Sequence, residues 1–374
     1  MSDSPPNGKW FAVANEDEIE SPALLLYPDR IEENIRRMVK IAGDPGRLRP
    51  HAKTHKLAPV AELQIAAGIR KFKVATIAEA ETVARAGAAD VLLAYQPVGP
   101  NVRRLLELIR AFPQTKFACL LDDLSAAREL SQRAATAGVT VGVFLDLDCG
   151  QHRTGVPLNN VAIELYRELC RLPGLAPRGL HAYDGHIHTS DPEMRKQECD
   201  AAFAPVAAMR DLMRAMKLPV PALISSGTPT FPIHARRADV ECSPGTCVLW
   251  DYGYSSQLRD LDFLHAALVF TRIVSRPAPG RLCLDLGHKA IASENPQPRV
   301  HFLNAPDARL VAHSEEHLVV EIESASDWQV GDVWYGVPWH ICPTVAVYAQ
   351  AVVIQQGRAE ARWRIEARER HLQF

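Results

Sequence analysis

Two lysines and two histidines fall within the octet Arg49-Pro50-His51-Ala52-Lys53-Thr54-His55-Lys56. A lysine amine can condense with a carbonyl cofactor, and neighbouring cations or burial make it nucleophilic by lowering its pKa. Lys53, with His51, His55 and Lys56 beside it, is the candidate; the alternative is a solvated basic loop. Ser225-Ser226-Gly227-Thr228-Pro229-Thr230 offers small residues whose N–H and hydroxyl groups can surround a phosphate, unless it is a plain tight turn. Asp146-Leu147-Asp148-Cys149-Gly150-Gln151-His152-Arg153-Thr154-Gly155-Val156 reads as a strand end followed by a polar, glycine-bracketed loop. Arg153 there presents a planar donor fork suited to a phenolic oxygen or a carboxylate, or is an ordinary surface arginine.

Imidazoles supply the remaining chemistry. His181-Ala182-Tyr183-Asp184-Gly185-His186-Ile187-His188 holds three histidines. On an extended backbone His186 and His188 share a face, as general bases or as metal ligands. Pro338-Trp339-His340-Ile341-Cys342-Pro343-Thr344 puts imidazole and thiol at i and i+2, a pair that suits zinc. Two protein ligands leave positions for water or substrate, as a catalytic metal requires; the bland alternative is a buried cysteine beside an unrelated histidine. Ser314-Glu315-Glu316-His317 and Asp285-Leu286-Gly287-His288-Lys289 are sites or ordinary solvated turns.

The elements that must position these residues alternate between two periodicities. Short apolar runs are expected as strands at Leu24, before Lys53, and at 73–76, 90–95, 117–121, 141–146, 179–183 and 222–225. Helical spacing covers 28–42, 59–67, 77–86, 102–111, 125–137, 160–170 and 192–216. Such alternation builds βα units around a parallel sheet, and the count approaches the eight of a (β/α)8 barrel. The chemistry-bearing residues, including Thr76, Tyr95 and Asp122, follow the strands, where such barrels assemble active sites. From Leu261 the text turns β-like at 266–275, 281–285, 318–323 and 333–337. The expected division is a barrel over 21–255 and a β-rich domain over 256–374 that includes the segment 1–20 and carries His340 and Cys342.

The chain has 374 residues, too long for one ordinary domain. The formal charge of -2 supplies no basic stripe for nucleic acid. Eight scattered cysteines, no signal-peptide core in Met1–Trp10 and no membrane-length apolar run point to a reduced, cytoplasmic, soluble protein.

Taken in order, RPHAKTHK, DLDCGQHRTGV, GLHAYDGHIH, SSGTPT, ECSPGT, CLDLGHKA, SEEH and PWHICPTV resemble the D-threonine aldolase and D-serine dehydratase family, the metal-dependent members of the alanine racemase-like fold. The likeness runs from about Ser21 to Val347. It implies a pyridoxal phosphate barrel with a C-terminal β domain, as a homodimer. Lys53 would carry the cofactor. Arg153 would contact its phenolic oxygen, and Ser226, Gly227 and Thr228 would hold its phosphate. His51, Tyr183 and Glu241 complete the expected cofactor-binding set, and His340 with Cys342 would hold a divalent metal, zinc or manganese. Related racemases place an arginine against the pyridine nitrogen where this chain has Ser243.

The implied reaction is retro-aldol cleavage of a D-β-hydroxy-α-amino acid to glycine and an aldehyde, with His186 or His188 as base. Family aldolases carry aspartate where this chain has Cys342, whereas His with Cys is the pair of D-serine dehydratases. The alternative is therefore dehydration of D-serine or D-3-hydroxyaspartate to a keto acid and ammonia. A non-enzymatic cofactor-homeostasis protein resembles a barrel alone, and the β domain with His340 and Cys342 argues against it. A zinc hydrolase sharing a barrel would leave Lys53 unexplained.

Overall fold

The computed structural model describes residues 9–374, so Met1–Gly8 of the expected N-terminal segment lie outside the described residues. Two compact units emerge. One contains Ile35–Lys53, Leu57–Gly245 and Glu369–Phe374; the other contains Thr54–Lys56, Thr246–Arg368 and the described part of Met1–Asn34.

The first unit is a parallel barrel wrapped in helices. Its strands run in the order Lys71–Val74, Asp90–Leu93, Lys116–Leu121, Val141–Asp148, Leu175–Ala182, Ala222–Ser225 and Glu241–Cys242. The extended segment Leu48–His51 closes the ring, bridging Cys242 on one side and Lys73 on the other. Four backbone bonds secure that closure: Arg49 N to Cys242 O at 2.8 Å, and His51 N to Pro244 O, Ala52 N to Lys73 O and Lys73 N to Pro50 O, each at 2.9 Å. The staves read as almost continuous apolar runs because helices cover their outer face and packed side chains fill the inside; Leu92, Ala118, Leu120, Phe144 and Ile224 form an interior cluster.

Helix starts are written in side chains. Thr76, Asp123, Asn159 and Asp191 each accept a backbone N–H of the helix that follows. Thr76, expected near the chemistry, is spent on this cap. Between the staves Leu175–Ala182 and Ala222–Ser225, Gly179 sits at φ +128°, and a Cβ there would stand 1.9 Å from Ala222 O. No side chain fits that approach.

The barrel interior also holds a charged layer. Arg49, 1% exposed, donates to Asp90 at 2.6 Å and to Glu241 at 2.9 Å. Arg178 also pairs with Asp90, and Lys71 with Glu241 at 2.5 Å. Burial works against the Arg49 charge, but Glu241 and Asp90 outweigh it and hold its pKa above the ordinary value. A buried charge persists only when paired in this way.

The second unit corrects one strand of the sequence reading. Ala23–Leu26, expected in the barrel, pairs antiparallel with Ala267–Ala278 and parallel with Gln350–Gln355. It belongs to a sheet in the order Arg309–His313, Leu318–Glu321, Arg281–Leu284, Ala267–Ala278, Ala23–Leu26, Gln350–Gln355, Arg358–Arg364, with Val300–Phe302 and Val333–Pro338 beside that path. All four residues are buried, so their apolarity fits either environment equally. One face of the sheet packs Val269, Leu284, Phe302 and Trp334, another cluster Leu25, Phe270, Tyr335 and Val352. The two acidic motifs find each other here: Lys289 pairs with Glu315 at 2.7 Å and Glu316 at 3.1 Å, all exposed. Asp285 accepts Ser21 Oγ, Thr271 Oγ1 and Arg272 N, a structural role.

Candidate active site

Lys53 follows the closing stave and is exposed. Its backbone N–H donates to Nδ1 of His51 at 3.3 Å, so the two expected neighbours share one turn. Beyond the strand Val141–Asp148, Asp148 accepts the N–H groups of Gly150 at 2.9 Å and His152 at 3.0 Å, and its other oxygen meets His152 Nδ1 at 2.7 Å. Asp146 accepts Thr154 Oγ1 at 2.9 Å and Asp122 accepts Gly155 N at 2.9 Å. Arg153 is thus set on a loop fixed from both sides, its guanidinium carbon 5.2 Å from the centre of the Tyr183 ring.

Ser226, at φ +82°, begins the small-residue loop. Its hydroxyl accepts Ser243 N at 2.9 Å, and Thr228 Oγ1 accepts Gly245 N at 3.2 Å. Gly227 is pressed towards Tyr183: a Cβ there would stand 3.3 Å from the ring. Asp184 anchors the loop from below, accepting Gly227 N at 3.0 Å, Thr230 Oγ1 at 2.9 Å and His234 Nε2 at 2.8 Å. Burial raises the Asp184 pKa, but His234 and these donors outweigh it and keep the carboxyl below its ordinary value.

Asp184, Cys199 and His234 offer donor atoms within 4.8 Å of one another, close enough to hold a metal. Their atoms are committed, however: Asp184 to the loop, His234 Nδ1 to Arg237 at 2.6 Å, and the Cys199 thiol pushed up to about 12, chiefly by burial. The trio acts here as the anchor of the small-residue loop. Sequence reading missed His234, which no local pattern marks.

The extended run expected to align His186 and His188 ends at Ala182, and Ile187 N turns back to Asp184 O at 3.0 Å. Both imidazoles are exposed. His186 packs over Gly150, where a Cβ would lie 2.9 Å from its Nε2. His181 is instead buried against Asp146 at 2.7 Å, and burial lowers its pKa. Glu241, expected at the cofactor, has its two oxygens on Arg49 and Lys71. Ser243 donates its hydroxyl to Arg49 O at 2.9 Å. Lys73, which the sequence marks only as part of a strand, is 3% exposed, with its nitrogen 5.2 Å from the Tyr183 ring centre.

The arrangement fits pyridoxal phosphate. The Asp146 and Asp184 carboxylates are occupied by the barrel's own donors, Lys53 supplies an exposed amine at the end of the closing stave, and Arg153 stands over the ring of Tyr183, against which the loop of small residues is pressed.

In the other unit, His340 and Cys342 lie near enough for the sulfur to favour the charged imidazole. Thr54, the residue after Lys53, lies with Oγ1 3.1 Å from Cys342 Sγ, and Thr246 Oγ1 lies 3.7 Å from it. His340 Nδ1 sits 2.5 Å from Glu294. Burial opposes the His340 charge, but Cys342, Glu294 and Asp251 together raise its pKa to about 9. An imidazole oriented by a carboxylate and paired with a thiol is a donor set that fits a divalent metal.

Residues 27–252 match the family model "Alanine racemase, N-terminal domain", and 266–354 match "Putative serine dehydratase domain". The chain is 30% identical over 357 residues to D-threonine aldolase of Arthrobacter sp, covering 94% of this chain and 93% of that one. It belongs to the D-threonine aldolase and D-serine dehydratase family. A 3-hydroxy-D-aspartate aldolase of Paracoccus denitrificans (strain Pd 1222) is 30% identical over 95% of this chain and 93% of its own. The crystal structure of D-threonine aldolase from Filomicrobium marinum superposes with a TM-score of 0.88 at 27% identity, covering 96% of this chain and 98% of that one. The family fold is alanine racemase-like, and its members are pyridoxal phosphate-dependent lyases. Among the described residues no helix is long and apolar enough to cross a membrane.

Proposed function

We propose that this lyase cleaves D-β-hydroxy-α-amino acids to glycine and an aldehyde, using pyridoxal phosphate and a divalent metal. The observation that carries the reading is the similarity to D-threonine aldolase along 94% of the chain. The exposed amine of Lys53 and the place of Arg153 over the Tyr183 ring support it.

Each residue has a task in this scheme. Lys53 holds the cofactor's carbonyl carbon, and Arg153, His51 and Tyr183 fix its ring, while Ser226, Gly227 and Thr228 receive its phosphate. Bound pyridoxal phosphate supplies an electron-withdrawing ring that accepts the electron pair of the breaking Cα–Cβ bond. His340 and Cys342 hold the metal, a Lewis acid for the β-hydroxyl. Zinc is favoured over manganese by the thiolate. His186 takes the hydroxyl proton, because its Nε2 packs on the loop that carries Arg153. The O–H electron pair becomes the carbonyl of the departing aldehyde, and a proton returns to Cα to give glycine. Glu241, held by Arg49 and Lys71, shapes the barrel interior beneath. The scheme further assigns the metal to the C-terminal β domain, with a homodimer as the assembly and the cytoplasm as the compartment.

Dehydration is the second reading, favoured by Cys342 and by the match of 266–354 to a serine dehydratase domain model. Product analysis on D-threonine, D-phenylserine and D-serine with added zinc or manganese separates the two. Glycine plus aldehyde upholds the aldolase; keto acid plus ammonia replaces it with the dehydratase.

A further inference from the structure

Lys73 lies on a barrel stave, paired in the ladder with His51, two residues before Lys53. Its side chain is 3% exposed, and among the described residues its amine donates no hydrogen bond. An ammonium ion in such a place costs several kcal/mol unless it is paired. The groups acting on it come from each neighbouring element: Lys53 and Arg49 from the closing segment, Asp146 from the strand Val141–Asp148, and Tyr183 and Asp184 from the end of Leu175–Ala182. Burial first, then the Lys53 charge and Arg49, pull its pKa down to about 7, with Asp184 and Asp146 pulling the other way. A buried amine whose pKa is drawn down towards neutrality, close enough to feel the charge of Lys53, has the profile of a general base.

We propose that Lys73 is the proton acceptor for the amino group of the incoming amino acid, an inference that rests on Lys53 being the cofactor lysine. The substrate reaches the site as an ammonium ion, which has no lone pair to attack a carbon. The Lys73 amine takes one N–H proton, leaving a neutral substrate amine and a Lys73 ammonium. That amine displaces the Lys53 nitrogen from the cofactor carbon, and the same proton then passes from Lys73 to the released Lys53 amine. Lys73 ends neutral, and the proton count is unchanged.

The test is stopped-flow mixing of the cofactor-loaded enzyme with glycine, which exchanges with Lys53 but has no Cα–Cβ bond to break. The absorbance change is followed between pH 5.5 and 9. In the wild type its rate rises with pH as the Lys73 ammonium gives up its proton. Lys73→Met removes that limb and slows exchange at neutral pH by about 100-fold or more. Lys73→Arg, which keeps a charge but cannot give up its proton, is equally slow. Lysine-bound cofactor absorbance in both variants establishes that they are folded and loaded. Exchange by Lys73→Met at the wild-type rate with the same pH limb overturns the proposal, as does full rescue by Lys73→Arg, which would reduce Lys73 to a fixed charge. Absence of that absorbance in the wild type, or its survival in Lys53→Ala, would instead remove the Lys53 assignment and this inference with it.

Discussion

His340 Nδ1 stands 2.5 Å from Glu294 Oε1, 46 residues apart in the chain. One nitrogen of the imidazole is thereby fixed on a carboxylate, and the ring is left with Nε2 as its other donor. Carboxylates of this kind set ring orientation and tautomer in metal sites. Glu294→Gln is therefore expected to weaken metal binding about 10- to 100-fold in competition with a chelator. Unchanged affinity would make the contact a surface ion pair of no consequence.

Lys53→Ala and Cys342→Ala should fail differently. The first loses the lysine-bound cofactor absorbance and all activity. The second keeps that absorbance while metal affinity drops. Metal bound by Cys342→Ala as tightly as by the wild type would remove the thiol from the site.

Asp184 is buried and holds Gly227, Thr230 and His234 at once. Asp184→Ala strands those donors, and a loss of about 3 kcal/mol in urea unfolding is expected, together with weaker cofactor binding. Asp184→Asn should lose less, because an amide oxygen still accepts from Gly227 and Thr230. Equal losses for the two variants would place the effect in the charge alone.

His265 is held at Nε2 by Ser255 Oγ at 3.0 Å, and its pKa is lowered to about 4, by burial first and then by Arg30. The folded value lies below the ordinary 6.5, so between these values the unfolded chain binds the extra proton. Stability is fully present above about pH 6.5 and is lost as pH falls towards 4, on the order of 3 kcal/mol from this group. The midpoint of urea unfolding followed across that window checks it. His265→Gln should flatten the slope; an unaltered slope would assign the acid sensitivity to other groups.

Much of the barrel was legible because helix and strand periodicities differ and because the caps are local. Thr76, Asp123, Asn159 and Asp191 mark helix starts within three residues of the N–H groups they accept. The stave Glu241–Cys242 has no signature in the sequence, because two residues, one of them charged, carry no periodicity. Glu241 is tolerated there only because Arg49, distant in sequence, meets it inside the ring.

By itself the sequence determined the alternation of elements, the ordered motifs, and the candidates Lys53, Arg153, His340 and Cys342, since each depends on residue type and spacing along a few neighbours. Tertiary structure decided the rest. The run Ala23–Leu26 could bury in a barrel or in a sheet with the same gain, and only the pairing with Ala267–Ala278 and Gln350–Gln355 selected the sheet. The chemistry of Lys73 was equally hidden. A lysine in a strand is ordinarily a solvated cation, and it becomes an amine with a pKa near 7 only when the closed ring removes water and brings the Lys53 charge to bear on it.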